Sequence, residues 1–146
     1  MAVSELKVGE FLAALGERTP APASGAATAL TGAFAASLVE LAARFAGDEA
    51  AVDRARALAT RLARLADEDA DAYTAFMETG SEEARRRTIE VPEEIATKAD
   101  EVERLAGRVG TQLTSSVAGD AEAGAELARA AARVARRLAE LNARNG

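Results

Sequence analysis

Apolar residues recur at helical spacing along nearly the whole chain, and the caps and stops between them divide it into helices. Ser4 stands where it can cap a first helix, Glu5 to Leu15, closed by Gly16, and Glu17 to Ala23 read as a Pro-bearing loop. Ser24 is the expected cap of a second helix that runs to Ala46, with Gly47 as its stop. Asp48 caps a long third helix to about Met77, and Gly80 closes it. Ser81 with Glu83 opens a short charged helix, and Pro92 either begins a new helix or kinks a continuous one. The next helix, Glu93 to about Thr114, carries Gly107 and Gly110 in its second half. Asp120 is placed to cap the last helix, Ala121 to Asn145. The fold class this predicts is all-α, an antiparallel helical bundle with short connections, and residues 1–146 read as a single domain.

The second helix is apolar nearly all round until Glu40, as a helix at the centre of a bundle would be. Its Gly25, Ala29, Gly32 and Ala36 follow steps of three or four and would admit a neighbouring backbone very closely, leaving Leu30, Phe34, Leu38 and Leu41 to pack elsewhere. On the third helix Val52, Ala55, Ala59, Leu62, Ala66, Tyr73 and Phe76 form one stripe. Asp69 falls in mid-stripe, about 20° from Leu62 and from Phe76 at 100° per residue, while Asp67 and Asp71 point toward solvent. An unpaired carboxylate in a core costs several kcal/mol, so Asp69 should face a partner, a cavity or a subunit interface. A structural carboxylate bonded to a nearby helix or hydroxyl is the other reading of this residue. In the last helix Gly124, Leu127, Ala131, Val134, Leu138, Leu141 and Asn145 continue a stripe from Asp120, with Asn142 at its edge. Arg133, Arg136, Arg137 and Arg144 suit the helix C-terminus and read as a solvated face.

Composition narrows the chemistry. The formal charge of -6 argues against a nucleic-acid partner. With no Cys and no His, thiolate and imidazole metal sites and imidazole bases are excluded, and no metal site is expected. The charge-free run between Arg18 and Glu40 is the one membrane candidate, but its two prolines and its Ser and Thr residues leave it weakly hydrophobic. No membrane partner is expected, and the N-terminal segment does not read as a secretory signal, so the expected location is the cytoplasm.

Several stretches taken in order are similar to the cyclodeaminase/cyclohydrolase family, that is, the C-terminal domain of formiminotransferase-cyclodeaminase and stand-alone methenyltetrahydrofolate cyclohydrolases. "FLAALGERTPAPASGAATALTGAFAASLVELAARFAG" resembles the family's opening, a Phe-Leu helix followed by a Pro-Ala-Pro-Gly-Gly-Gly-Ser turn and a small-residue helix. "LADEDADAYTAFM" resembles its acidic helix, with Asp69 at the recurrent aspartate, and "EVPEEIA" resembles its Val-Pro helix start. "SSVAGDAEAGAELARAAARVARRLAELNARN" resembles its last stretch. Within these matches Ala23 and Ser24 stand where two glycines are expected, Ala26 replaces the serine, Gly119 replaces the Ser before Asp120, and Leu138 replaces the first of two asparagines.

The resemblance implies a homodimeric bundle whose folate site lies in a cleft near the dimer interface. It implies a cyclohydrolase or cyclodeaminase, a hydrolase or lyase acting on methenyl- or formimino-tetrahydrofolate. No cofactor would be permanently bound, a tetrahydrofolate derivative being the substrate. Asp69 would be the catalytic carboxyl group. Pro22, Ala23, Ser24, Gly25, Ala26, Asp120 and Asn142 would contact the substrate, with the Ser24 helix start toward its anionic part. The alternative is a catalytically degenerate dimeric bundle serving as a small-molecule-binding or protein-interaction module.

Overall fold

The computed structural model describes residues 2–145. A 3₁₀ turn at Val3–Glu5 precedes five helices, α1 (Val8–Gly16), α2 (Ser24–Ala46), α3 (Glu49–Thr79), α4 (Glu82–Gly110) and α5 (Val117–Arg144), with no strand among the described residues. Helices α2 to α5 form a ring in chain order, each packed on the next and α5 closing back onto α2. The links at residues 47–48 and 80–81 are short because their chemistry is ideal for a reversal. Gly47 and Gly80 take the left-handed conformation, with φ of 70° and 61°, and the next residue caps the following helix. The Asp48 carboxylate accepts from the Ala51 amide at 3.0 Å, and Ser81 Oγ from the Ala84 amide at 3.1 Å.

Charge pairs fix the register of α3 against α4. Arg54 pairs with Glu101, Arg61 with Glu94 at 2.6 Å, and Arg87 approaches Glu68 at 4.0 Å. Both helices advance by seven residues between pairs, in opposite chain directions, so one face of each is a ruler for the antiparallel alignment.

The core is built from alanine with a few larger side chains. Leu58, Leu62, Leu65, Ile95, Val39, Val102 and Val109 are fully enclosed among alanines of α2, α3 and α5. Helix α2 turns its small-residue face inward. A Cβ at Gly32 would lie 3.2 Å from Leu62 Cδ1, and one at Gly124 of α5 would lie 3.1 Å from the Ala35 carbonyl oxygen and from Val39 Cγ2. The large residues of the opposite face are left outside: Phe34 is 59 % exposed and Phe45 67 %, with Leu41 beside them. The length and hydropathy of α2 match those of a membrane span, and half of its apolar window is packed inside the bundle.

Several local expectations are corrected, and the choice left open at Pro92 is decided. Ser4 caps no helix; its amide and hydroxyl donate to the Asp67 carboxylate at 2.9 and 2.6 Å, which also draws Asp67 inward from its expected solvent position. Ser24 is the first residue of α2 rather than its cap, because Ala23 already supplies the carbonyl that takes the Ala27 amide at 3.1 Å. Pro92 lies inside one continuous helix, held there by burial of Val91, Pro92 and Ile95, and that helix stops at Gly110 instead of near Thr114. Helix α5 begins at Val117, where Ser115 Oγ accepts from the Val117 amide at 3.3 Å, so Asp120 belongs to its first turn and is not its cap.

The contact at Gly124 can be tested against an open glycine. Gly124→Ala must push a methyl group into the Ala35 backbone, and its expected cost of about 1–2 kcal/mol exceeds the gain in helix propensity. Gly107→Ala, where a Cβ meets nothing within 4 Å, should stabilise by about 0.5–1 kcal/mol. Denaturant unfolding of both variants reads the difference.

Candidate functional site

Where the N-termini of α2 and α4 meet the C-terminal halves of α3 and α5, the bundle leaves a cavity of about 230 Å³. Antiparallel packing brings these ends together, although residues 24 and 142 lie at opposite ends of the chain. Ala23, Ser24, Gly25, Asp69 and Asn142 all line it.

Asp69 dominates the electrostatics. The apolar stripe of α3 carries it inward, and its carboxyl group lies directly against the Cα of Gly25, where any Cβ would overlap all three carboxyl atoms. Gly25 is therefore a site residue by omission: only a glycine at that point lets the carboxylate occupy the gap between α2 and α3. Among the described residues no group donates a hydrogen bond to Asp69, and burial pushes its carboxyl up to about 6. Such a group changes protonation close to neutral pH, which suits proton transfer.

Beside it, α2 starts without a side-chain cap. The helix start leaves first-turn amides without helical acceptors, so the cavity wall carries donors and a partial positive charge next to the carboxylate. Across the cavity, the Asn142 Nδ2 donates to the Thr88 carbonyl oxygen at 2.7 Å. Thr88 itself is buried, its hydroxyl donating to the Arg85 carbonyl at 2.6 Å, and Arg85 in turn donates to the Ala143 carbonyl at 2.8 Å. Two hydrogen bonds of opposite polarity thus hold the end of α5 against the first turns of α4.

Three residues expected at the site sit elsewhere. Pro22, which follows a cis Ala21–Pro22 peptide bond, is not in the wall, although Pro20, Ala21 and Ala23 around it are. Ala26 is fully buried in the core, since α2 is already helical there and its side chain turns inward. Asp120 lies at the other end of α5, about 33 Å from Asn142 at 1.5 Å per residue, so the two cannot share one cavity within the chain. Conversely, Tyr73, Thr88 and Leu138 complete the wall. Tyr73 follows Asp69 by one helical turn and Leu138 precedes Asn142 by one, so helical spacing points to both. Thr88 was findable as the residue four before Pro92, whose carbonyl a proline leaves without its helical donor. No group of three Asp or Glu side chains among the described residues forms a metal cluster.

Comparison with known proteins agrees with the helical architecture. The sequence model of the family described as formiminotransferase-cyclodeaminase matches residues 7–145. The structure is similar to the crystal structure of formiminotetrahydrofolate cyclodeaminase from Thermotoga maritima, with a TM-score of 0.92, 23 % identity, and 98 % of this chain and 81 % of that chain covered. No curated protein matches the sequence.

The raised Asp69 carboxyl makes stability depend on pH. Its folded value lies above the ordinary carboxylate value of 3.8, so the folded state holds a proton that the unfolded chain has lost between about pH 4 and 6. Stability should therefore fall as pH rises through that window and level off above it. Asp69→Asn should remove this dependence and raise stability at pH 7 by about 3 kcal/mol, less at pH 4. Thermal unfolding at both pH values checks the sign.

Proposed function

The chain belongs to the formiminotransferase-cyclodeaminase family, and on that footing we propose that it makes or opens the one-carbon bridge of tetrahydrofolate, as a cyclodeaminase or cyclohydrolase. The observation that carries this reading is the Asp69 carboxylate, set in a cavity wall with no protein donor or counter-charge among the described residues. Formimino- and methenyl-tetrahydrofolate both carry an amidinium-type cation at the reacting carbon, which is the partner such a carboxylate lacks. Pairing with that cation would favour the ionised form of Asp69.

In the deaminating direction N10 adds to the formimino carbon and the carboxylate takes the N10 proton. It returns that proton to the amino nitrogen, the C–N bond breaks, and ammonia leaves from the cation now closed between N5 and N10. In hydrolysis the same carboxylate takes a proton from water as its oxygen adds to the bridging carbon and gives that proton to one ring nitrogen. The C–N bond to that nitrogen breaks, the carbon becomes a formyl group, and the remaining hydroxyl proton leaves to solvent. Either route needs one carboxyl group that gains and loses a proton near neutrality. The uncapped start of α2, at Ser24 and Gly25, would face the electron-rich part of the ligand, with Asn142 opposite.

A second reading, a binding module without catalysis, draws on the turn in which Ala23 and Ser24 stand in place of two glycines. In either reading the cavity, at about 230 Å³, is smaller than the usual ~300–1,000 Å³ of small-molecule sites, so it would hold one end of a folate and not the whole molecule. The rest of the ligand would lie across the surface or against a second subunit. A homodimer is part of this proposal: Phe34, Leu41 and Phe45 of α2, with Leu127 and Val134 of the adjoining α5, leave apolar side chains exposed on neighbouring helices.

Two outcomes are expected. Absorbance in the near ultraviolet should rise when the protein is mixed with formimino-tetrahydrofolate, or fall with methenyl-tetrahydrofolate, and Asp69→Asn should slow that change at least ~100-fold with helical circular dichroism intact. An unchanged rate in the variant would remove Asp69 from the chemistry. Light scattering should give twice the 15.1 kDa chain mass, and Phe34→Glu should halve it.

A further inference from the structure

Pro92 is the one residue of α4 that cannot donate a backbone hydrogen bond, and it lies ten residues into the helix. The carbonyl it fails to meet is that of Thr88, four residues earlier. That same carbonyl receives the Asn142 side chain from α5 at 2.7 Å. The coincidence has a chemical consequence. A carbonyl oxygen accepts only from a donor, so the Asn142 carboxamide must present its NH₂ group to Thr88. Its Oδ1 accepts from no group among the described residues, and the side chain lines the cavity that holds Asp69.

We propose that Pro92 is a positioning residue: by leaving the Thr88 carbonyl without its helical donor, it locks the Asn142 carboxamide with Nδ2 in the bundle and Oδ1 free as an acceptor for an N–H of the ligand. Asn142 is thereby kept from rotating its NH₂ group into the cavity. The wall then offers acceptors on both sides of the cavity, Asp69 beside the start of α2 and Asn142 Oδ1 across from it. This selects ligands that carry N–H groups toward both. Its extension to folate rests on the function proposed above; the orientation of Asn142 does not.

The test separates the two. In the 146-residue chain, two-dimensional ¹⁵N NMR should show slowed exchange for the Asn142 side-chain amide protons, identified by their loss in Asn142→Ala. Pro92→Ala supplies the missing N–H to Thr88, and the Asn142 amide protons should then exchange at the rate of a free side chain. Calorimetry with tetrahydrofolate should show binding weakened about tenfold by Pro92→Ala, the loss of about one hydrogen bond. Adding Pro92→Ala to Asn142→Ala should weaken it no further. An Asn142 amide whose exchange is unaltered by Pro92→Ala, or additive losses in the double variant, would overturn the proposal. Should Pro92→Ala lose helicity, Asn142→Asp carries the test: it keeps the shape and the acceptors but cannot donate to Thr88, and binding at the wild-type level would overturn the assignment. If the wild-type protein binds no tetrahydrofolate, the folate reading falls, and amide exchange alone decides the role of Pro92.

Discussion

Close backbone approach between α2 and its neighbours is the constraint on which the rest of this molecule depends. A helix can come so near to two others only if it carries almost no side chain where they meet, and α2 meets that condition with glycine and alanine from Gly25 to Ala36. Leu62 fills the space over Gly32, and Gly124 lets α5 rest against the Ala35 carbonyl. At the N-terminal end the same economy of side chains leaves room for a carboxyl group. Asp69 is where it is because Gly25 has no Cβ. The displaced bulk reappears on the outer face of α2, where Phe34 and Phe45 are left largely exposed. A close-packed inside and a greasy outside are two results of one pattern.

The cavity gathers groups whose needs the protein leaves unmet. A desolvated carboxylate, an uncapped helix start and a carboxamide oxygen surround a small volume, each held by neighbours that do not neutralise it. Preorganised but unsatisfied dipoles of this kind interact with a ligand without first having to reorient. The stability this costs is met elsewhere, in the alanine core and in the Arg–Glu pairs along α3 and α4. The pair between Arg61 and Glu94 illustrates the balance, since the guanidinium beside Glu94 holds that carboxyl below its usual range while burial opposes the shift.

The helices, their glycine stops and the inward turn of Asp69 were legible in the sequence because each rests on local chemistry or on a period of 3.6 residues. The exceptions share a cause. Ser4, Ser24 and Asp120 all looked like caps, and each was outcompeted by something local propensity does not encode: a carboxylate sixty-three residues away for Ser4, a carbonyl one residue upstream for Ser24, an earlier turn for Asp120. Pro92 was ambiguous for the same reason, since only the burial of its neighbours decides between a break and a continuous helix. Thr88 went unnoticed because its role lies in a backbone oxygen, and the one mark of that in the sequence is a different residue, Pro92, four positions later. The family resemblance supplied Asp69 with a chemical context that its position alone left open between structure and function.

Chain order bears on how the molecule comes into being. The reversals at residues 47–48 and 80–81 make α2–α3 and α3–α4 hairpins whose partners are close in sequence, and such contacts form at small entropic cost. The pocket is different. Its wall joins Gly25 to Asn142, nearly the full length of the chain, and exists only once α5 has closed the ring. On a ribosome it would be the last part to take shape, after every helix that surrounds it has been made. A ligand of the proposed kind would therefore report on the finished molecule: a chain that has folded its hairpins but not seated its final helix carries Asp69 without the opposite wall of the cavity.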